Sequence, residues 1–403
     1  MVATPFPTVA SELATVRLEI RELHPQIIAW RRCIHQQPEL GFQEKVTAEF
    51  IAEKLTSWGI EYQTGIAQTG IVATISGDRP GKVLAIRADM DALPIQELNS
   101  VEYRSQRDGV MHACGHDGHV AIALGTARYL ATHRNFAGTV KMIFQPAEEG
   151  PGGAEPMVQA GVLQNPDVDA IVGLHLWNQL PLGTVGVRSG ALMAAVETFN
   201  CTIRGKGGHG AIPQQTVDSI VVAAQVVTAL QTIVSRNVDP IESAVVTIGK
   251  FHAGTACNII ADSAQLSGTV RYFNPNYVHF FQQRIEQVIA GVCQTYGATY
   301  ELDYRKLYPA LINDEQMTTL VRSVAETAIE SPLNVVPNCQ TMGGEDMSYF
   351  LNAVPGCYFF LGSANAARGL TFPHHHPRFD IDETALALGV ELFVRCVERF
   401  CAL

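Results

Sequence analysis

The sequence is poor in charge, and the charge it carries is mostly negative. Charged residues make up 17% of the 403 positions, the formal net charge is -11, and Lys and Arg form no run. A polyanionic partner, such as a nucleic acid or an anionic membrane surface, requires a basic patch on the protein. We therefore expect neither nucleic acid nor membrane as a partner.

The sequence also lacks paired cysteines and targeting signals. Its nine cysteines include no Cys-x-x-Cys pair, so we expect no disulfide framework and a cytoplasmic location. The first 26 residues lack a basic cluster followed by an apolar core, so we expect no signal peptide. The most apolar helical run, residues 219–230, is short and contains Gln225, which predicts no membrane-spanning helix.

The pattern of apolar segments predicts two domains of different architecture. Residues 1–190 begin with helix over 11–59, broken by a Pro-containing turn, and then alternate strands with helices. Several strands are apolar throughout, which indicates an α/β domain with a mostly parallel sheet flanked by helices. Residues 191–308 follow the order βαββαβ, which predicts an inserted ferredoxin-like α+β domain. Residues 309–403 return to the first domain.

The stretch HACGHDGH, residues 112–119, concentrates side chains that bind metals. Cys114 and His116 are two residues apart, so they share a face only where the chain is extended. We therefore predict an extended segment here, with a helix starting at Asp117 and Gly118. The stretch follows a predicted strand and precedes a helix, where open α/β sheets bind ligands. For any single histidine, an ordinary hydrogen-bonded imidazole remains the alternative.

Three other segments offer further donors. Glu148 and Glu149 lie just beyond a predicted strand; their adjacent side chains point in different directions, so one could ligate a metal while the other acts as general base. A solvated acidic loop is the alternative.

His175 lies in an apolar run, where a buried imidazole needs a partner, and an ordinary core histidine is the alternative. Residues 374–376 are three consecutive histidines, among which composition does not choose.

Taken together, these motifs resemble the zinc- and manganese-dependent aminoacylase/carboxypeptidase family of metallopeptidases, in its hippurate hydrolase and auxin-conjugate amidohydrolase branch. The resemblance covers essentially the whole chain. It rests on the segments RRCIHQQPELGFQE, RADMDALPIQE, MHACGHDGH, FQPAEEGPGGA, GLHLW, GKGGHGAIP, GTACNIIAD and GGEDMSYF.

The resemblance implies two divalent metal ions, zinc or manganese, that share a bridging water. Carried over position by position, the metal ligands are Cys114, His116, Glu149, His175 and His375, and Glu148 takes the general acid/base position. The family's last ligand lies two residues before a proline, as Leu-His-small-Pro. Here His374 and His376 replace the leucine and the small residue around His375.

The segment RADMDALP departs from other branches of the family. Those branches have His-x-Asp, which supplies a metal ligand and an orienting aspartate. This chain has Asp89 at the histidine position and keeps Asp91 at the aspartate position. The resemblance thus implies that His116 replaces the missing ligand and that Asp91 holds a ligand imidazole.

The inserted domain resembles the family's lid and dimerisation domain. The resemblance implies that His209 reaches the partner subunit's active site in a homodimer and stabilises an oxyanion there. It also implies that Asn258 and Arg271 hold the substrate. Arg271 fits this role because a guanidinium binds a carboxylate through two hydrogen bonds.

The predicted activity is hydrolysis of the amide bond in N-acyl amino acids. A dipeptidase, a carbamoylase or an N-acyl-diaminopimelate deacylase on the same site is the alternative within hydrolases. A non-catalytic metal-binding protein of this fold is the alternative of another class. Closed structural zinc sites commonly use four cysteines, or two cysteines and two histidines. The single Cys114, and a Glu148 that is not itself a ligand beside the ligand Glu149, favour catalysis.

Overall fold

A computed structural model describes residues 16–328 and 335–402 of the chain. Residues 11–15 of the predicted first helical region lie outside the described residues. The chain divides into two compact units: a larger one within residues 1–192, 312–340 and 349–403, and a smaller one of residues 193–311 and 341–348. The assignment of 1–190 with 309–403 to catalysis and of 191–308 to a lid stays a prediction.

The structure describes the following helices and strands. The helices are α1 (Leu18–Gln36), α2 (Lys45–Ser57), α3 (His116–Thr132), α4 (Ala154–Gln159), α5 (Ser219–Asn237), α6 (Phe280–Tyr296), α7 (Glu315–Ala328), α8 (Ser348–Ala353) and α9 (Thr384–Cys401). The strands are β1 (Glu61–Ile66), β2 (Gly70–Ser76), β3 (Arg79–Asp89), β4 (Ala137–Gln145), β5 (Ala170–Pro181), β6 (Val185–Gly186), β7 (Gly190–Met193), β8 (Ala195–Arg204), β9 (Gly208–His209), β10 (Ala244–Ala253), β11 (Ile259–Ile260), β12 (Ser263–Tyr272), β13 (Thr299–Tyr308), β14 (Leu311–Asn313), β15 (Val335–Val336) and β16 (Gly356–Ala364).

An eight-stranded sheet forms the centre of the larger unit. Its order is β1-β2-β4-β3-β5-β16-β6-β15. The central strands β4, β3, β5 and β16 are mutually parallel, whereas β2 and β6 run antiparallel to their central neighbours. The central strands are buried along most of their length, as expected of parallel strands covered on both faces. The predicted α/β class is confirmed.

Helix α3 carries the HACGHDGH segment into the core and packs against α1 and α9. A glycine permits this close packing. A Cβ added to Gly125 would lie 2.7 Å from Val390 Cγ2 and 2.9 Å from Ile27 Cδ1. Such distances are well below van der Waals contact, so a larger residue would force the helices apart. The packing fixes the start of α3, where the candidate metal donors lie.

The smaller unit has the predicted order βαββαβ, formed by β8, α5, β10, β12, α6 and β13. The four strands make an antiparallel sheet in the order β10-β12-β8-β13. A second, two-stranded ladder of β9 and β11 was not predicted. It is only two residues long on each side, too short to produce a recognisable alternation of apolar residues.

Helix α5 extends beyond the apolar run of residues 219–230. By length and composition alone it is apolar enough to cross a membrane, and 33% of it is buried. This is weak support for a membrane span, because the core helix of a folded domain meets the same criteria. Here the buried face of α5, which includes Val222, Val226 and Leu230, packs against β10 and β12.

A buried ion network ties three parts of the larger unit together. The Arg31 side chain on α1 is fully buried and lies 2.7 Å from Asp117 at the start of α3. It also lies 2.7 Å from Asp380 and 3.3 Å from Glu383, both just before α9. His35 Nδ1 is 2.8 Å from the Asp117 carboxylate. Burial opposes the charge on His35, but Asp117 outweighs it and raises the pKa of His35 to about 9.

The raised pKa of His35 predicts a specific loss of stability at alkaline pH. A folded-state pKa of about 9, against 6.5 for an unperturbed histidine, means that the bound proton stabilises the fold below pH 6.5. This contribution disappears as the pH rises through 9. We expect the free energy of unfolding of metal-free protein to fall between pH 6.5 and 9, and to fall less in His35→Gln, as measured by urea unfolding.

His133→Gln is the matched control, because His133 lies at the exposed end of α3 and bonds only locally. It should keep the wild-type pH profile. Identical profiles for wild type and His35→Gln would show that His35 is not protonated in the folded protein.

Candidate metal centre

The larger unit brings together all five predicted metal ligands and Glu148. In each of three groups, the potential ligand atoms lie within 4.8 Å of one another. These groups are Cys114 with His116 and His175, Cys114 with Glu149 and His375, and His116 with Glu148 and Glu149. Because the groups share members, they form one continuous cluster. The sequence separations are large, so only the fold could create it.

A left-handed glycine brings Cys114 and His116 together. Gly115 has a φ of 93°, and α3 begins directly after it at His116. The predicted extended segment and the predicted helix start at Asp117 are therefore wrong. A glycine adopts positive φ without steric cost, and the turn it makes places both side chains in the cluster although they do not share an extended face. The sequence signal was Gly115 itself.

Asp91 fixes the two neighbouring glutamates through their backbones. Its carboxylate accepts hydrogen bonds from the N–H of Glu148 at 3.0 Å and of Glu149 at 2.9 Å. The same carboxylate lies 3.3 Å from His116 Nδ1, and the Asp91 carbonyl oxygen lies 2.9 Å from that nitrogen. Asp91 therefore contacts His116, a candidate ligand, and also the acidic loop, which the sequence did not indicate; its role toward a metal ligand stays a prediction.

The remaining two histidines approach from β5 and from the loop before α9. His175 Nε2 lies 3.4 Å from Cys114 Sγ. His375 has a φ of 64°, and its N–H donates to the Ala113 carbonyl at 2.8 Å. This bond holds the loop beside Cys114 and places His375 Nε2 3.0 Å from Glu149 Oε1.

The other two histidines of the tract have different partners. His374 Nε2 donates to the Leu176 carbonyl at 2.9 Å. His376 Nδ1 accepts from the Arg378 N–H at 3.0 Å. Of the three consecutive histidines, only His375 has a nitrogen in a metal-binding group of the described residues.

The donor set fits a divalent metal ion. His116 Nε2 is buried and has no hydrogen-bond partner among the described residues. Its Nδ1 faces the Asp91 carbonyl, which can only accept, so Nδ1 carries a hydrogen and Nε2 is the nitrogen that can release its proton and bind a metal. A buried polar atom without a partner is costly. A thiol, imidazoles and carboxylates around such an atom are the ligands that zinc and manganese use.

The electrostatics of the cluster favour positive charge. Burial opposes a proton on His116, but Asp89 and Asp91 outweigh it and raise the pKa of this imidazole to about 10. Burial, together with Glu149 and Glu148, raises the pKa of the Cys114 thiol. Burial lowers the pKa of His175, which is therefore neutral. A divalent cation would satisfy the same carboxylates and displace these protons.

A further group, Asp89 with His116 and His119, also lies within ligand distance, but its geometry does not suit a metal. His119 Nδ1 lies 2.5 Å from Asp89 Oδ1, and His119 Nε2 accepts from the Leu176 N–H at 2.9 Å. Asp89 is also paired with Arg87 at 2.7 Å. Both nitrogens of His119 are thus occupied by protein partners.

The smaller unit holds the other three predicted site residues. The short ladder of β9 and β11 pairs His209 with Ile259, and the Gly210 N–H donates to the Asn258 carbonyl at 2.8 Å, so His209 and Asn258 lie side by side. Arg271 on β12 donates to the Val270 carbonyl at 3.0 Å and to Thr269 Oγ1. No carboxylate pairs with Arg271 in the part of the chain that the structure describes. The roles of these residues stay predictions.

Comparison with known proteins supports the same chemistry. The sequence profile described as peptidase family M20/M25/M40 matches residues 85–399. The chain is 47% identical over 299 residues to an N-acyl-L-amino acid amidohydrolase of Geobacillus stearothermophilus, covering 74% of this chain and 80% of the relative. It is 40% identical over 376 residues to thermostable carboxypeptidase 2 of Saccharolobus solfataricus, covering 92% and 94%.

Among solved structures, the chain resembles the YXEP protein of Bacillus subtilis, described as a dinuclear metal-binding peptidase of the M20 family. The TM-score is 0.82 and the sequence identity 36%, with 95% of this chain and 99% of that chain covered.

The contacts of Asp91 predict a loss of metal affinity when its charge is removed. Asp91→Asn should weaken binding of Zn²⁺ or Mn²⁺ by about 10–100-fold, because the backbone N–H groups of Glu148 and Glu149 lose one of their two acceptor oxygens and His116 loses a negative neighbour. Calorimetric titration of metal-free protein measures this change. The exposed Asp78→Asn is the control and should bind as tightly as wild type; equal affinity in Asp91→Asn would contradict the orienting role.

Proposed function

Because the chain belongs to peptidase family M20/M25/M40, as its motifs predicted, we propose that it is a metal-dependent amidohydrolase that cleaves N-acyl amino acids. One observation carries the proposal: a buried glutamate, Glu148, stands directly beside a candidate ligand glutamate within a cluster of metal donors. A structural metal site has no use for a second carboxylate of this kind. A hydrolytic site requires one as a base.

We further propose that two divalent ions, zinc or manganese, bind in this cluster. The residues that would hold them are Cys114, His116, Glu149, His175 and His375. When bound, such ions polarise a scissile carbonyl and make a water molecule more acidic. The unpartnered His116 Nε2 and the mixed nitrogen, oxygen and sulfur donors support this assignment.

Glu148 is the proposed general acid/base. Its carboxylate would take the proton of the attacking water and deliver it to the nitrogen of the departing amino acid. The backbone around it is held firmly: the Glu148 N–H bonds Asp91, and the preceding Ala147 has a φ of 54° with its N–H bonded to Glu44 at 2.8 Å. Glu148 Oε2 lies 3.9 Å from His116 Nε2, which keeps the base at the edge of the donor cluster.

The smaller unit would supply binding groups. His209 is proposed to stabilise the oxyanion in the partner subunit of a homodimer, and its exposed position is compatible with that role. Arg271 would bind the free carboxylate of the amino acid, since no carboxylate of the described residues occupies it. Asn258, beside His209, would donate to the polarised carbonyl.

The rival activities use the same donors and differ in substrate. The carboxypeptidase relative, 40% identical to this chain, keeps peptide substrates under consideration, as do a dipeptidase, a carbamoylase and an N-acyl-diaminopimelate deacylase. A purely structural metal site is the alternative outside enzymes. The 47% identity to an N-acyl-L-amino acid amidohydrolase favours N-acyl amino acids.

A substrate panel tests the proposed activity. Metal-free protein reconstituted in turn with Zn²⁺, Mn²⁺ and Co²⁺ should release amino acid from N-acetyl and N-benzoyl amino acids. It should act on unblocked dipeptides and N-carbamoyl amino acids at least about tenfold more slowly, because one misplaced group costs about 1–3 kcal/mol in transition-state binding. A preference for unblocked dipeptides would assign a dipeptidase instead, and no turnover with any metal would exclude an enzyme.

The assignment of the base predicts a separation of metal binding from turnover. Glu148→Gln should lower kcat by at least about 100-fold, since general-base catalysis contributes about 10²–10⁴-fold, while two metal equivalents remain bound. Steady-state kinetics and metal analysis of the same sample provide the two measurements. Glu155→Gln, at an exposed position on α4, is the control and should keep wild-type activity. Appreciable activity in Glu148→Gln would show that another group is the base.

A further inference from the structure

The backbone of β5 loses a neighbouring strand just where it reaches the metal donors. Residues 84–87 of β3 pair with residues 170–173 of β5, whereas β16 pairs along the other side of β5 to Trp177 and, after a register shift, to Pro181. Beyond Gly173, no strand among the described residues bonds the N–H and C=O groups of β5 that face the β3 side. Buried backbone groups need partners, so something else must take the place of β3.

At Leu176, the imidazoles of three histidines provide the hydrogen-bond partners that β3 does not. Its N–H donates to His119 Nε2 at 2.9 Å. Its carbonyl oxygen accepts from His175 Nδ1 at 2.7 Å and from His374 Nε2 at 2.9 Å. One residue of β5 thus joins histidines from α3, from β5 itself and from the loop before α9.

These bonds determine the tautomers of the rings. A carbonyl oxygen can only accept, so His175 carries its hydrogen on Nδ1 and keeps a lone pair on Nε2, beside Cys114. For the same reason His374 carries its hydrogen on Nε2, and that nitrogen cannot bind a metal. His119 accepts at Nε2, so its hydrogen is on Nδ1, where Asp89 receives it at 2.5 Å.

Packing holds the His374 ring in this position. The ring lies against the indole of Trp177 with centroids 4.6 Å apart and against Phe379 at 5.0 Å. Trp177 in turn stacks on Phe360 at 4.2 Å. The next residue, His375, has an exposed side chain and a strained backbone φ of 64°. Its direction therefore depends on the residues that fasten the loop on either side.

We infer that His374 is a positioning residue for the metal site: through the Leu176 carbonyl it sets the direction of both His175 and His375 without binding a metal itself. His175 is the residue directly before Leu176, and His375 directly follows His374, so one shared acceptor couples two ligands that are 200 residues apart. The inference rests on the proposed metal centre and adds to it a residue that holds the ligands in place.

Substitution of each histidine in the tract separates positioning from ligation. His374→Leu removes the donor to Leu176 and should weaken metal binding by about 10–100-fold while the protein still binds two equivalents. His374→Gln keeps an N–H that can reach Leu176 and should restore affinity to within about threefold of wild type. His376→Leu alters the same loop without touching Leu176 and should bind as wild type does. Calorimetric titration of metal-free proteins with Zn²⁺ measures affinity and stoichiometry.

Two further measurements distinguish positioning from general damage to the fold. Urea unfolding of the metal-free proteins should place His374→Leu and His374→Gln close together in stability, although they differ in metal affinity. In the Co²⁺-loaded proteins, the thiolate-to-cobalt absorption of Cys114 should change in His374→Leu and return in His374→Gln. Parallel losses of stability and affinity in both variants would overturn the inference.

The remaining outcomes separate this inference from the proposed function. If wild-type protein binds no metal, the proposed function fails. If wild type binds two equivalents and His374→Leu binds them as tightly, only the positioning role of His374 fails. If His374→Leu binds one equivalent while His375→Leu still binds two, His374 is the ligand and the inference is overturned.

Discussion

Several carboxylates lie close together in a buried pocket of the larger unit, and the structure around them depends on compensating their negative charge. The carboxylates concerned are Asp89, Asp91, Glu148 and Glu149, and the Cys114 thiol, which their charge and burial keep protonated, lies in the same cluster. Burying a carboxylate without a partner costs several kcal/mol, so the fold must compensate each one. Arg87 and His119 compensate Asp89, and two backbone N–H groups compensate Asp91. A cation would bind on the side of the cluster that Glu149 and Cys114 form. The proposed chemistry takes place on that side.

This division of charge explains why neighbours in one motif have different roles. Cys114 and His116 face the cluster, whereas Asp117 faces away and is matched by Arg31 and His35. His119, three residues further along the helix than His116, reaches the backbone of β5. Adjacent side chains on a helix point in different directions, so Asp117 diverges from His116. Side chains three residues apart share a face, and the ring centroids of His116 and His119 lie 5.4 Å apart. A helix that begins at His116 therefore distributes a compact motif among the metal site, the ion network and the sheet.

The sequence singled out side chains that the fold brings into one cluster, because they are chemically distinctive and lie at strand ends. It could not predict how backbones present them. The left-handed Gly115 moved the helix start to His116. Composition could not choose among three consecutive histidines, and only the resemblance, through the spacing to Pro377, indicated His375. In the structure, that choice comes from a positive φ and a bond to the Ala113 carbonyl, neither of which leaves a sequence pattern. The role of Leu176 could not be predicted either, because it acts through backbone groups that every residue has.

The same contacts explain how the site can be rigid before a metal binds. His175 is already neutral and in the tautomer that exposes Nε2, because Leu176 holds its Nδ1 hydrogen. His116, in contrast, is stabilised in its protonated form by Asp89 and Asp91. Binding a cation therefore requires proton release from His116 and Cys114 but no rotation of His175. Ordering the ligand side chains is a main cost of binding. The hydrogen bonds of His119, His175 and His374 to Leu176 hold these side chains in place before a metal binds, and so reduce that cost.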